Sequence, residues 1–133
     1  MKQYLLDTDV AVDYLRGCAD TIRRVAMMWR ENCHVSEITV AELKHGAEKS
    51  ARPEHNRQKV EAFIGKFKIM CVRPALDVFA FEKARLEKLG TRLEDFDLLV
   101  GATAIHYDFV LATNNVKHFD RMQHLTVENW TQS

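Results

Sequence analysis

The sequence predicts an α/β sandwich in which helices cover both faces of a central, mostly parallel sheet of about five strands. Three observations carry this. Short apolar runs of strand length recur at residues 4–6, 33–35, 68–72, 109–112 and 125–127. Stretches with helical periodicity fill the intervals between them. Strands that alternate with helices from end to end read as βαβ units, whose crossovers make neighbouring strands parallel. At 133 residues the chain is expected to form one domain, residues 1–133, with a core of ordinary size.

The elements follow in order. Tyr4-Leu5-Leu6 is continuously apolar, as in a strand buried on both faces, and it ends abruptly on Asp7-Thr8-Asp9. A short helix carrying Val10, Val12 and Leu15 runs to a stop at Gly17. Asp20 or Thr21 caps a second helix with Ile22, Val25, Ala26 and Trp29 on an apolar stripe, while Arg23, Arg24 and Arg30 point away. A brief strand, Cys33-His34-Val35, leads to Ser36 as the cap of a helix through about Lys49. Ala51-Arg52-Pro53 breaks it, and a helical period resumes from Glu54 to Phe67 with Val60, Phe63, Ile64 and Phe67 apolar. That helix pair offers a surface for a partner or second subunit, or else simply packs into the core. Lys68 to Val72 forms the third strand, stopped by Pro74, and a helix from Leu76 to Leu89 is closed by Gly90. The stretch from Glu94 to Ile105 is apolar almost all round, which for a helix means burial on most sides. Phe109 to Ala112 is the fourth strand and ends in Thr113-Asn114-Asn115; a short helix from Val116 to Met122 and an edge strand, Leu125-Thr126-Val127, complete the chain.

Composition narrows the function classes. Hydrophobic residues at 47% and charged residues at 29% exclude a disordered chain. No apolar run approaches the roughly 20 residues that span a bilayer, and the N-terminus lacks a basic-then-apolar signal, so the expectation is a cytoplasmic protein with no membrane segment. Cys18, Cys33 and Cys71 show none of the spacings of a zinc site or disulfide framework and are expected to be reduced core residues. Nineteen acids balance nineteen bases, leaving no global positive field to draw in nucleic acid. A polyanionic substrate then needs a local basic patch or a metal ion.

The candidate chemistry lies where strands end. In open parallel sheets ligands bind beyond the carboxyl ends of the strands, which is where Asp7 and Thr113 fall. Asp7 or Asp9 can equally cap the following helix. Glu42 shares a helix face with small groups around Thr39 and Gly46 and has room to reach inward; in isolation it reads as a solvated glutamate, alone or paired with His45. Asp97 shares a face with Val100, Gly101 and Ala104, whose small residues would pack the helix tightly on the sheet and carry the acid inward, while Asp95 suits the capping role. Three crowded carboxylates, Asp7, Glu42 and Asp97, raise one another's pKa unless a cation neutralises them. All-oxygen ligands favour magnesium or manganese over zinc, and such a site suits phosphodiester hydrolysis.

Four segments carry a resemblance: Leu6-Asp7-Thr8-Asp9, Thr39 to Ala47, Asp97 to Ala104, and Ala112 to Phe119. In that order, and with the closing Val127-Glu128-Asn129-Trp130, they resemble the motifs of PIN-domain ribonucleases, and more narrowly the VapC toxins of bacterial toxin–antitoxin pairs. The resemblance spans essentially the whole length. It implies a PIN-like α/β/α sandwich and a toxic, magnesium-dependent endoribonuclease (manganese serving as an alternative) that acts on structured RNA such as tRNA. It also implies a cognate VapB-type antitoxin as partner and a homodimer. Carried over, Asp7, Glu42 and Asp97 hold the metal, and Thr8 and Thr113 are supporting hydroxyls. Asn115 stands where the family often has a fourth acid, and Asp9 where it often has Asn. An arginine fork from the antitoxin is expected among these acids, since it satisfies carboxylates as a metal would.

Two other readings compete. Asp7-Thr8-Asp9 after an apolar strand also resembles the first motif of haloacid-dehalogenase-type phosphotransferases, with Asp7 as nucleophile, though this leaves Glu42 without a role. A non-catalytic RNA-binding or partner-binding module, with structural acids, is the other; there Asp7→Asn should leave the biological effect intact.

Overall fold

The computed structural model describes residues 1–131. Its sheet has five strands, β1 (Tyr4–Leu6), β2 (Cys33–Ser36), β3 (Lys68–Met70), β4 (Val110–Thr113) and β5 (Val127–Asn129), in the order β3-β2-β1-β4-β5. Every pairing is parallel, so the expectation of a mostly parallel sheet is met in full. The helices are α1 (Thr8–Leu15), α2 (Ala19–Met27), α3 (Glu37–Glu48), α4 (Pro53–Ile64), α5 (Leu76–Leu89), α6 (Asp95–Tyr107) and α7 (Val116–Phe119).

Side chains alternate across a strand, and the two cores follow that alternation. Tyr4, Leu6, Val35, Val110 and Ala112 face one layer, packed with Val10, Val25, Leu43, Ala47 and Phe63 from α1 to α4. Leu5, Met70 and Leu111 face the other, packed with Leu86, Leu98, Val100, Ala104 and Phe119 from α5 to α7. At about 0.8 kcal/mol per buried methylene, these two layers are the main favourable term holding the sheet between its helices. α6 packs closely because Gly101 lacks a side chain: a Cβ there would fall 2.4 Å from Met122 Sδ.

Several local expectations are corrected. α2 begins at Ala19, with Cys18 rather than Asp20 or Thr21 at its cap position. Trp29 lies beyond the helix with φ of 65° and is 59% exposed, so it leaves the apolar stripe. Cys33 is buried, but Cys18 and Cys71 are exposed. Phe63 and Phe67 do not present an aromatic face to a partner; they are buried and meet Tyr14 edge-on at 5.8 and 5.2 Å. The exposed large apolar residues include Leu76, Phe81 and Leu89 on α5 and Phe96 at the start of α6. The edge strand falls at Val127–Asn129, two residues later than its apolar run suggested, because the register sets Leu111 against Val127.

Candidate active site

The strand order makes β1 a switch point: from β1 the chain goes to β2 and β3 on one side and returns with β4 and β5 on the other. Open parallel sheets bind ligands in the crevice beyond such a point. Asp7 directly follows β1, Thr113 ends β4, and across the crevice Thr113 Oγ1 donates to Asp7 Oδ2 at 2.8 Å. Asp7 is 5% exposed and Thr113 is fully buried. The other Asp7 oxygen, Oδ1, accepts the Thr8 N–H at 2.9 Å, so the acid caps α1 and faces the crevice at once.

Glu42 and Asp97 are each fixed by one neighbour. Thr8 Oγ1 donates to Glu42 Oε1 at 2.7 Å and lies 3.0 Å from Thr39 Oγ1. A hydroxyl has a single proton, so Thr39 donates to Thr8, and the chain Thr39, Thr8, Glu42 runs in one direction. Asp97 sits in the first turn of α6, half-exposed rather than carried inward, because Gly101 and Ala104 seat the helix one and two turns further on. Its Oδ2 is 2.8 Å from His118 Nε2. An ionised carboxylate only accepts, so with Asp97 charged Nε2 carries the hydrogen.

Burial sets the electrostatics. Desolvation, then the neighbouring charge of Asp9 and more weakly that of Asp97, pushes the Asp7 carboxyl up to about 7, against the opposing bonds from Thr113 and Thr8. Asp9 is also raised, by burial first, although it accepts hydrogen bonds from the backbone of Asn114 and Val10 and shares one with Asp7.

The structure adds residues that the sequence reading did not place here. Asn114 N–H donates to Asp9 Oδ2 at 3.2 Å, and its side-chain amide donates to Asp13 Oδ2 at 2.9 Å. Asp13 lies four residues after Asp9, on the same face of α1, a spacing readable in the sequence. Asn115, by contrast, is exposed and joins the network through its backbone N–H, which donates to Thr113 Oγ1 at 3.0 Å. His118 gave no sequence signal, being one histidine on a four-residue helix.

The donor set fits a hard divalent cation in chemistry. Its ligand atoms are all carboxylate oxygens. Asp9 Oδ1 is buried with no hydrogen-bond partner, and burial, then the charges of Asp9 and Asp97, raises the Asp7 carboxyl to about 7, so positive charge is what the crevice lacks. The acids do not form a closed cage: among the described residues no three His, Cys, Asp or Glu side chains gather tightly enough to hold a metal by themselves. Asp97 acts on Asp7 through its charge and Glu42 is bonded to Thr8, next to Asp7, so the three acids are more open than the tight cluster expected.

Fold and site together define a PIN domain: the PIN-domain pattern matches residues 4–125, and the chain belongs to that family. Within it the chain groups with the VapC ribonucleases. It is 35% identical to Ribonuclease VapC2 of Haemophilus influenzae over 132 residues, covering 98% of this chain and 99% of that one. It is 28% identical over 131 residues to the tRNA(fMet)-specific endonuclease VapC of Salmonella typhimurium, with 98% and 99% covered. The crystal structure of DNA-bound VapBC from Salmonella typhimurium superposes with a TM-score of 0.91 at 28% identity, over 98% of this chain and 99% of that chain. Among the described residues no helix is long and apolar enough to cross a membrane.

Proposed function

We propose that this chain is a metal-dependent endoribonuclease that cleaves tRNA and serves as the toxin of a toxin–antitoxin pair in the cytoplasm. The observation that carries this is Asp7: a buried acid at the switch point, bonded to Thr113 across the crevice and raised to about 7 by burial and by Asp9 and Asp97. Asp7, Glu42 and Asp97 would hold magnesium, or manganese. Bound there, the ion supplies the charge that makes water a nucleophile at neutral pH and offsets the negative charge of the phosphate. The chain's own residues orient: Thr113 fixes the Asp7 carboxyl, Thr8 fixes Glu42, His118 fixes Asp97, and the Asn115 N–H fixes Thr113. Asn115 itself has an exposed side chain and would be free to meet substrate.

The named activities and assemblies of the relatives support the finer points. A relative specific for tRNA(fMet) supports tRNA as the substrate, and neighbours solved as VapBC complexes support a VapB-type antitoxin. An antitoxin arginine would satisfy the same carboxylates as the ion, and a homodimer is the assembly we assign. Membership of the PIN family displaces the phosphotransferase reading, which also gave Glu42 no role.

The test is purified chain, freed of partner, incubated with tRNA and total RNA in magnesium or in chelator, beside Asp7→Asn and Asp97→Asn. Discrete fragments that need magnesium and both acids are expected. Cleavage that persists in chelator, or at an unchanged rate in either variant, overturns the metal-site reading, and absence of cleavage with any divalent ion leaves the binding module.

A further inference from the structure

One large aromatic ring has no role in the fold. Phe96 immediately precedes Asp97, in the first turn of α6, and is 51% exposed although its helix is otherwise largely buried. It walls a cleft of about 500 Å3 whose other side is the α3 face bearing Ala41, His45, Gly46 and Lys49, and which opens at one end onto Thr8 and Glu42. That volume is within the roughly 300–1,000 Å3 of small-ligand clefts. The α3 wall is low: a Cβ at Gly46 would meet no atom within 4 Å, so a flat body could lie against it. The charges in the cleft are sorted. Lys44 is spent on Glu61 at 3.4 Å, whereas His45 and Lys49 have no ion pair among the described residues. On its other flank Phe96 lines a second cleft, of about 590 Å3, together with Arg92.

We propose that Phe96 is a stacking platform for an unpaired RNA base next to the scissile phosphate, with His45 and Lys49 contacting the adjoining backbone. This rests on the ribonuclease reading and adds a determinant of which nucleotide is presented. A π-face beside the unpaired Lys49 and the imidazole of His45 matches a single-stranded nucleotide, which offers a flat base and an anionic backbone together. Every base has a π-face, so the ring selects for an unstacked base rather than for a sequence. It thereby directs cleavage to loops and ends of structured RNA. A purely apolar partner segment would leave Lys49 and His45 unanswered.

Binding is measured in the Asp7→Asn background with magnesium, using a short single-stranded RNA that carries 2-aminopurine, and cleavage is measured with Asp7 intact. Phe96→Ala should weaken binding about 5- to 150-fold, the loss of one stacked base, and abolish the quenching of 2-aminopurine. Phe96→Trp should restore both, and Phe96→Leu, which keeps apolar bulk without a π-face, should not. In cleavage the loss should fall on KM more than on kcat, with an unchanged melting temperature as expected for an exposed ring. RNA affinity within twofold of the parent in Phe96→Ala overturns the proposal. So does full rescue by Phe96→Leu, or a loss confined to binding of the antitoxin. Absence of magnesium-dependent cleavage in the unmodified chain overturns the ribonuclease reading instead, and appears in the same assay before any Phe96 variant is compared.

Discussion

Asp7→Asn should stabilise the metal-free protein while abolishing its chemistry. The buried Asp7 carboxyl is raised from 3.8 to about 7 by burial and by its acidic neighbours. An acid with a raised folded pKa contributes stability that is fully present below its unfolded value of 3.8, where both states are protonated. That contribution is lost as pH climbs from about 4 to about 7, because the unfolded chain ionises freely and the folded one resists. At about 1.4 kcal/mol per pH unit the ceiling is about 4 kcal/mol. Asparagine carries no charge and nearly the same shape, but it cannot accept from both the Thr8 N–H and the Thr113 hydroxyl, a loss of about 1 kcal/mol. The net gain at pH 8 is about 1–3 kcal/mol, or about 3–10 °C in Tm for a chain of this length. Calorimetry in chelator between pH 4 and 8 reads it directly: the parent should lose stability across that window and the variant should lose less, the remainder coming from the buried Asp9. Saturating magnesium should narrow or reverse the order, since only the parent binds it fully. An equal or lower Tm for Asp7→Asn at pH 8 in chelator would refute the claim that Asp7 is under charge and burial strain.

Two further outcomes follow from contacts away from Asp7. Glu82 is 2% exposed on α5, accepts Arg85 Nε at 2.6 Å and the Gln123 N–H at 2.7 Å, and so ties α5 to the loop after α7. Glu82→Ala leaves both donors without an acceptor and should cost about 3–5 kcal/mol by urea unfolding; a cost under about 1 kcal/mol would show the pair to be dispensable. His118→Ala frees Asp97 and should lower cleavage about 10- to 100-fold with a raised magnesium requirement but little change in Tm; an unchanged magnesium titration would remove His118 from the site.

What the sequence revealed and what it hid divide along physical lines. Strand ends were legible because a continuous apolar run stops on a polar residue, and both ends that matter, Leu6-Asp7 and Ala112-Thr113, do this. Their meeting followed from parallel topology, which sets strand ends along one edge. The depth of Asp97 was not legible, because a helix's periodicity fixes its face but not how far its first turn stands from the sheet. Which of Asn114 and Asn115 reaches Asp13 depends on loop dihedrals that composition does not encode. Trp29 was misplaced for a related reason: a left-handed φ of 65° at a bulky residue ends the helix against its own apolar period. Phe96 was hidden by its company, one exposed ring at the start of an otherwise apolar stretch.

The Thr113–Asp7 bond joins residues 106 positions apart, so the site closes only when β4 docks beside β1. Contacts of such sequence separation form late and slowly in folding. On the ribosome, a chain emerged as far as Tyr107 already carries Asp7, Glu42 and Asp97 but lacks the strand that aligns them. For a nuclease harmful to its own cell this ordering is a safeguard of biosynthesis. The aligned site exists only once synthesis has entered the last fifth of the chain.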